Sequence, residues 1–433
     1  MSLIKKAVNV YKNRGIGGLA DKTGRFAVKR VRRLGKKLSF ARETYDQKRL
    51  REEFDFVAND LFQITGDDIA ASIKATTGPK PPVIKTATWM VPYFDHFAFN
   101  GIQTIFRFIE KLSKEGVKNR IVIYDNPTFD THSFEEKMLE AFDITNYEII
   151  VFGDDKAKGI ADLPQSDIAF CTKWESAYVL LRFNKTKRKY YFIQDYEPMF
   201  YEAGSTYALS QSTYRFGFRG IVNTPGLLAA VNQRDGLEGI SFIPAVNHQM
   251  YYPEPAKKNE RVRIFLYTRP YNPRNAFNLG ILTIKLLLEK YGKKIEIITA
   301  GAEWDEADYG LQGLITNKGL IKTLPEVADL YRKCDIGFSF MLTPHTSYQM
   351  QEYSASGMAT VMNRNADHTW LNKDGKNCLL AEPSPADMAE KIGKLIDDPA
   401  LRAKLVANAQ KELGYDWDQQ MEAIWNDVKK SPN

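Results

Sequence analysis

The sequence predicts an α/β protein: two Rossmann-like domains facing a cleft, preceded by a basic helical extension. Three observations carry that expectation. Short apolar segments almost free of charge alternate with amphipathic stretches through most of the chain, the pattern of parallel strands joined by helices. A break containing Pro244, Pro253, Pro255 and the charged run 257–261 divides the alternation into two halves and reads as a hinge. With 433 residues and 44% apolar content, the chain can bury at least two full cores. The boundaries that follow are 1–80 for the extension, 81–250 and 251–412 for the two domains, and 413–433 for a last helix.

The net charge of +7 is unevenly placed: residues 1–50 carry +12 and the remainder −5. In the arm, Leu3, Ile4, Ala7, Val8 and Tyr11 recur at helical spacing opposite Lys5, Lys6 and Lys12. Further on, Phe26, Val28, Val31, Leu34 and Leu38 alternate with Arg30, Arg32, Arg33, Lys36 and Lys37. A mildly acidic body with a basic amphipathic arm points to an anionic membrane surface as the partner of residues 1–50, and away from nucleic acid. A solvated arm, or one packed on the body, is the other reading. Cys171, Cys334 and Cys378 are far apart and match no metal-ligand spacing, which favours a reducing compartment. No apolar run reaches the roughly 18 residues that span a bilayer. The expected location is therefore cytoplasmic, peripheral on the inner face of the cell membrane where the arm engages lipid.

In the first half, residues 86–91 read as a strand, followed by the loop from Pro92 to Gly101, an amphipathic helix over 102–112 and a strand over 120–124. His96 is the only histidine in a loop at this sheet edge. Gly101, after Asn100, either lets the turn pack closely or lets backbone approach a ligand. Strands follow at 147–152, 167–171 and 189–193, with a helix over 174–181. The last of these strands runs into Gln194-Asp195-Tyr196-Glu197-Pro198-Met199-Phe200-Tyr201. Two acids on a loop at a sheet's carboxyl edge are costly if desolvated and unpaired, so Asp195 and Glu197 call for a ligand or a basic partner. Arg215 and Arg219 in the next segment are the candidates for such a partner. Residues 221–223 and 241–243 are the remaining strands of this half, with a helix over 227–232.

The second half opens with a strand over 263–267, whose edge carries Thr268-Arg269-Pro270-Tyr271-Asn272-Pro273-Arg274-Asn275. Arg269, Arg274 and Asn275 suit a diphosphate, since a guanidinium is a planar and permanent cation. A strand over 294–299, a strand and turn over 314–324 and a helix over 324–331 precede the most legible stretch, residues 335–361. There a buried strand over 336–342 breaks at Thr343-Pro344-His345. Thr346 and Gln349 have the spacing of a capping box that starts a helix near Ser347 and ends it near Gly357. A strand feeding a helix through a tight loop presents amide N–H groups and a positive dipole end, a site for phosphate. His345, Thr346, Ser347 and Tyr348 line that turn. Glu352 lies too far along to cap, and is either a solvated helix residue or an acceptor for a sugar diol.

The segment QMQEYSASGMATV resembles the donor-binding helix of family 4 GT-B glycosyltransferases, in which a glutamate within an L-E-A-x-A-x-G-x-P-V-V pattern holds the nucleotide ribose. By that resemblance Glu352 is the ribose ligand. A second glutamate usually stands eight positions earlier, where this chain has Pro344. The P-H-x-S-Y sequence before the helix and the Q-D-Y-E-P-x-F-Y loop are similar to bacterial surface-glycan rhamnosyltransferases, which use dTDP-L-rhamnose. The resemblance covers roughly residues 85–430 and implies a retaining sugar transfer to a glycan or lipid-linked glycan acceptor. Asn100 and Gly101 would face donor phosphates and acceptor, residues 314–324 would lie against the base, and Arg269 and Arg274 would stand where the family has an arginine and a lysine. Asp195, Glu197 and His96 would be the catalytic candidates. No Asp-x-Asp metal signature occurs in a loop at the expected cleft, so a metal-independent reaction with a nucleotide-sugar co-substrate and no further cofactor is expected. A nucleotide-sugar epimerase on the same scaffold, or a sugar-nucleotide-binding scaffold without chemistry, are the alternatives.

Overall fold

The computed structural model describes residues 47, 48, 50–78, 82–95, 97, 100–254, 260–412 and 414–431. The chain divides into two compact units, residues 1–63 and 64–433. Of the first, the described part is helical up to residue 57 and ends in a single turn, Asp60–Phe62, whose start is capped by the Asn59 side chain. The expected basic arm lies almost wholly outside the described residues. Among those described, no helix is long and apolar enough to cross a membrane.

The second unit begins with α1 (Gly66–Thr76). The sequence reading assigned α1 to the extension, but it packs on the first sheet. That sheet is built from β1 (Thr86–Val91), α2 (Asn100–Lys114), β2 (Lys118–Ile123), α3 (Thr131–Ala141), β3 (Tyr147–Val151) and α4 (Lys156–Asp162). It continues through β4 (Ser166–Cys171), α5 (Trp174–Arg182), β5 (Thr186–Ile193), α6 (Ser205–Ser212), β6 (Arg219–Asn223), α7 (Pro225–Asp235) and β7 (Gly239–Phe242). Its seven strands are all parallel, in the order β3-β2-β1-β4-β5-β6-β7. Trp89 of β1 stacks on Phe170 of β4 at 3.9 Å between ring centroids, and its indole N–H donates to Asn119 Oδ1 at 3.0 Å. A fully buried tryptophan is thus satisfied within the core.

The second sheet is formed by β8 (Val262–Tyr267), α8 (Phe277–Tyr291), β9 (Ile295–Ala300), β10 (Thr316–Asn317), α9 (Leu324–Arg332), β11 (Ile336–Ser339), α10 (Gln349–Ala355), β12 (Ala359–Asn363) and β13 (Leu379–Ala381). After it come α11 (Pro385–Asp397), α12 (Pro399–Glu412) and α13 (Trp417–Lys430). Its six strands are again parallel, ordered β10-β9-β8-β11-β12-β13. Both sheets reverse direction of growth beside their first strand, between β1 and β4 and between β8 and β11, which leaves a crevice at the carboxyl ends of those strands. Gly337 lets α10 lie on β11, since a Cβ there would stand 2.4 Å from the Tyr353 ring.

The last helix returns to the first sheet. Met421, Ile424, Trp425 and Val428 of α13 join that sheet's core, and Arg219 donates to Asp427 through Nε and Nη2 at 2.9 and 2.8 Å. Gln420 Oε1 accepts from the Ile243 amide at 2.9 Å.

Two details of residues 335–361 differ from expectation. The strand stops at Ser339 rather than at 342, because the amides beyond it turn elsewhere: Met341 N–H donates to Asn363 Oδ1 and Leu342 N–H to the Arg274 carbonyl. The capping box does not form. Ser347 adopts a left-handed φ of 64° and Tyr348 is the residue that precedes the helix, so α10 starts at Gln349 and Thr346 is too far back to cap it. The resulting helix has seven residues, shorter than expected, and its dipole contributes correspondingly little. The strand expected within 314–324 is only Thr316–Asn317.

Candidate active site

The carboxyl-edge loops of the two sheets meet. Three non-glycine residues have positive φ among those described, Thr224 after β6, Ala276 after β8 and Ser347 after β11, and all three lie in these loops. Backbone held in such regions costs about 1–3 kcal/mol per residue and collects at functional sites. The loop after β11 is pinned from its neighbour: Asn365 Nδ2 donates to the Thr343 carbonyl at 3.0 Å, and His368 Nε2 lies 2.9 Å from the same oxygen.

Asp195 and Arg274 come together across the cleft. The Arg274 guanidinium ion-pairs with the Asp195 carboxylate and lies 5.2 Å from the centre of the Phe200 ring. The other Asp195 oxygen accepts from the Tyr196 amide at 2.8 Å. Asp195 is thus a desolvated acid that has found its cation, but in the opposite half rather than in Arg215 or Arg219, which pair with Asp235 and Asp427.

His345 is buried beside this pair. Its Nδ1 accepts from the Ser347 amide at 3.1 Å, which places the proton of the neutral ring on Nε2. Burial drives its pKa down to about 4, with Arg274 and His368 reinforcing and Asp195 opposing. Neither His345 Nε2 nor the Thr346 hydroxyl has a hydrogen-bond partner among the described residues, although both are buried. Buried polar atoms of that kind are normally satisfied, so the pair marks a place for a polar ligand.

Tyr348 reaches out of the second half. Its hydroxyl stands 2.6 Å from Thr104 Oγ1 on α2 and accepts from Asn223 Nδ2 at 2.7 Å, and Asn223 Nδ2 also donates to Gln194 Oε1 at 2.9 Å. Gln194 Nε2 and Asn223 Oδ1, a donor and an acceptor, are buried without partners among the described residues. Gly101 lies beside Gln194, where a Cβ would make an ordinary 3.8 Å contact, so packing alone does not require glycine there. Asn100 opens α2.

The two acids of the Asp195 loop part company. Glu197 turns inward, where Oε2 accepts from the Trp174 amide at the start of α5 at 2.7 Å. Burial, and then the nearby Glu175, raise its pKa to about 8. This narrows the expectation that either acid could meet a ligand: Glu197 holds its loop against α5. Glu352 is buried on the first turn of α10 and takes a hydrogen bond from the Tyr251 hydroxyl of the hinge. Arg269 is half-buried at the end of β8, Asn275 is buried in the turn Pro273–Asn275, and His96 lies outside the described residues. Among the described residues, no group of three or more His, Cys, Asp or Glu could hold a metal ion.

Sequence reasoning missed Thr104, Asn223 and Tyr251 and gave Gln194 no role. Thr104 reads as one more position of an amphipathic helix, and Asn223 as the end of a buried strand. Gln194 was in view, as the residue after a strand and before Asp195, a position that carried the signal.

Two Rossmann-like parallel sheets whose carboxyl edges meet over a polar crevice define the GT-B fold. The solved structures it resembles include HepE of Anabaena in complex with UDP and glucose, with a TM-score of 0.60 at 15% identity over 80% of this chain and 99% of that one. TarM of S. aureus in complex with fondaparinux, alpha-GlcNAc-glycerol and UDP has a TM-score of 0.63 at 12% identity over 80% of this chain and 100% of that one. More particularly, residues 89–223 match the WsaF N-terminal domain and residues 262–393 the WsaF C-terminal domain. The O-antigen biosynthesis protein RfbC of Myxococcus xanthus is 36% identical over 405 residues, 91% of this chain. The chain spans 31% of the length of that relative.

Proposed function

We propose that this protein transfers a sugar, L-rhamnose from dTDP-L-rhamnose, onto a growing surface-glycan acceptor, without a metal and with retention at the anomeric carbon. The nucleotide sugar is its co-substrate and no further cofactor takes part. The observation that carries this reading is the cross-cleft cluster of Asp195, Arg274 and His345, which places an acid of one half against a fixed cation and a neutral N–H donor of the other. Arg274, with Arg269 of the same loop, meets the charge that develops on the leaving diphosphate, and His345 Nε2–H and the Thr346 hydroxyl donate to its oxygens. When phosphate draws Arg274 away, Asp195 is released to bind the acceptor hydroxyl. Glu352, with Tyr251 beside it, accepts from the ribose.

The WsaF domain matches, the O-antigen role in the relative's name and the similarity of the Asp195 loop to rhamnosyltransferases support the donor and the acceptor class. The test is to incubate the purified protein with dTDP-L-rhamnose and a rhamnose-terminated acceptor and to identify the product. A glycoside is expected; an isomerised nucleotide sugar would establish an epimerase, and intact donor with binding alone would establish a scaffold. The basic arm of residues 1–50 holds the enzyme on an anionic, cytoplasmic membrane face in this reading. Co-sedimentation with anionic but not neutral liposomes at low salt is the expected result.

A further inference from the structure

We infer that Tyr348 is a positioning residue that makes the geometry of the donor loop depend on closure of the cleft. Tyr348 sits in a second-half loop, yet both partners of its buried hydroxyl, Thr104 and Asn223, belong to the first half. Its ring stacks on Trp417 at the start of α13, with centroids 6.3 Å apart and planes 26° apart, and the Arg107 guanidinium of α2 lies 5.4 Å from the Trp417 ring centre. The side chain is therefore anchored on α2, on the end of β6 and on the returning helix, all parts of the first sheet's layer.

The backbone of the same residue sets the ligand-facing groups. The Tyr348 carbonyl accepts from the Gln351 and Glu352 amides at 3.1 and 3.0 Å, so Tyr348 fixes where α10 begins and where Glu352 stands. Immediately before it, Ser347 holds its left-handed φ, and the Ser347 amide in turn holds His345 in the tautomer that donates from Nε2. A left-handed serine persists only when its surroundings over-determine it. The cross-cleft hydroxyl is a contact that does so from the other half. A phenolic oxygen offers one donor and two acceptor positions. With two partners already in place, the Tyr348 hydroxyl keeps at most one position for the donor ligand that its turn was expected to hold. It links closure to the readiness of His345 and Glu352.

This inference rests on the reading of the cleft as a sugar-transfer site, and its test includes readouts that do not. Tyr348→Phe keeps the ring and its stack but removes the hydroxyl; Asn223→Ala removes one partner; Thr104→Ser keeps the other hydroxyl and serves as the conservative control. The expected result for Tyr348→Phe is a larger radius of gyration in small-angle scattering and a changed tryptophan fluorescence that the same substitution no longer produces when Trp417 is replaced by Phe, both without substrate. In turnover, kcat should fall by about tenfold or more with a smaller change in the donor KM. Asn223→Ala should show the same pattern, the double variant should be no worse than the worse single one, and Thr104→Ser should behave as wild type. Tyr348→Phe with unchanged scattering and fluorescence, or losses in the two single variants that multiply independently, would overturn the inference. If the wild type transfers no sugar, the scattering and fluorescence arms still decide whether the latch exists, so failure of the functional reading is told apart from failure of this one.

Discussion

Asp195 and Glu197 stand two positions apart on one loop, and their neighbours give them opposite tasks. Asp195 meets Arg274 from the opposite half, whereas Glu197 is folded under the loop against the α5 backbone. Asp195→Asn should therefore lower kcat by about a hundredfold or more in the product assay, while Glu197→Gln retains most turnover. Glu197 also gives a pH signature. Its pKa rises from 4.5 to about 8 on folding because burial disfavours the charged form. The folded state thus binds more protons between those values, so this group's contribution is fully present below 4.5 and is lost as pH rises toward 8. Thermal unfolding across pH 5 to 8 should show Glu197→Gln gaining on the wild type by a few degrees as pH increases. A constant difference would mean that Glu197 is charged in the folded protein. The sequence showed that two acids in this loop needed partners, but not which partners, because the arginines of the segment that follows, Arg215 and Arg219, are taken by Asp235 and Asp427.

At the scale of elements, the turn from β11 into α10 was legible as a turn and misread in detail. The Thr346 to Gln349 spacing of a capping box presupposes an extended Thr346 at the helix boundary. The left-handed Ser347 moves that boundary two residues on and leaves the Thr346 hydroxyl buried without a partner among the described residues. Removing such a hydroxyl is expected to be neutral or to stabilise by about 1 kcal/mol. Thr346→Val should thus unfold at the wild-type temperature or slightly above, while losing part of the thermal shift expected of the wild type with dTDP or dTDP-L-rhamnose. A variant that is destabilised but keeps the full shift would show that Thr346 supports the loop and does not meet the nucleotide. The strands themselves were legible because those of a parallel sheet are buried on both faces and read as unbroken apolar runs. Their ends were less so, since Met341 and Leu342 are as apolar as the strand but bond to Asn363 and Arg274 instead of to a neighbouring strand.

In the whole molecule, the two halves touch through backbone as well as side chains. Gly226, at the start of α7, lies so close to the second half that a Cβ there would be 1.9 Å from the Asp367 carbonyl oxygen and 2.9 Å from the Trp370 indole nitrogen. Backbone cannot yield as a flexible side chain does, so Gly226→Ala should hold the halves apart. The expected outcome is a larger radius of gyration and a kcat lowered by about tenfold, with little change in the affinity for dTDP, whose proposed ligands lie in the second half. Unaltered scattering would show that the contact at Gly226 can adjust locally. In the sequence this glycine reads as an ordinary residue of a Thr-Pro-Gly helix start, because the atoms that forbid a side chain are about 140 positions away.

By itself the sequence determined the two parallel β/α halves and the proline-marked break between them. Those features depend on local periodicity and on residues that break it, and both are written along the chain. Only the tertiary structure decided that Asp195 faces Arg274, that Glu197 meets the α5 backbone instead, and that Tyr348 reaches Thr104 and Asn223. Each of these is a contact between elements far apart in sequence, set by how two separately built sheets meet, and no pattern within either half encodes that meeting.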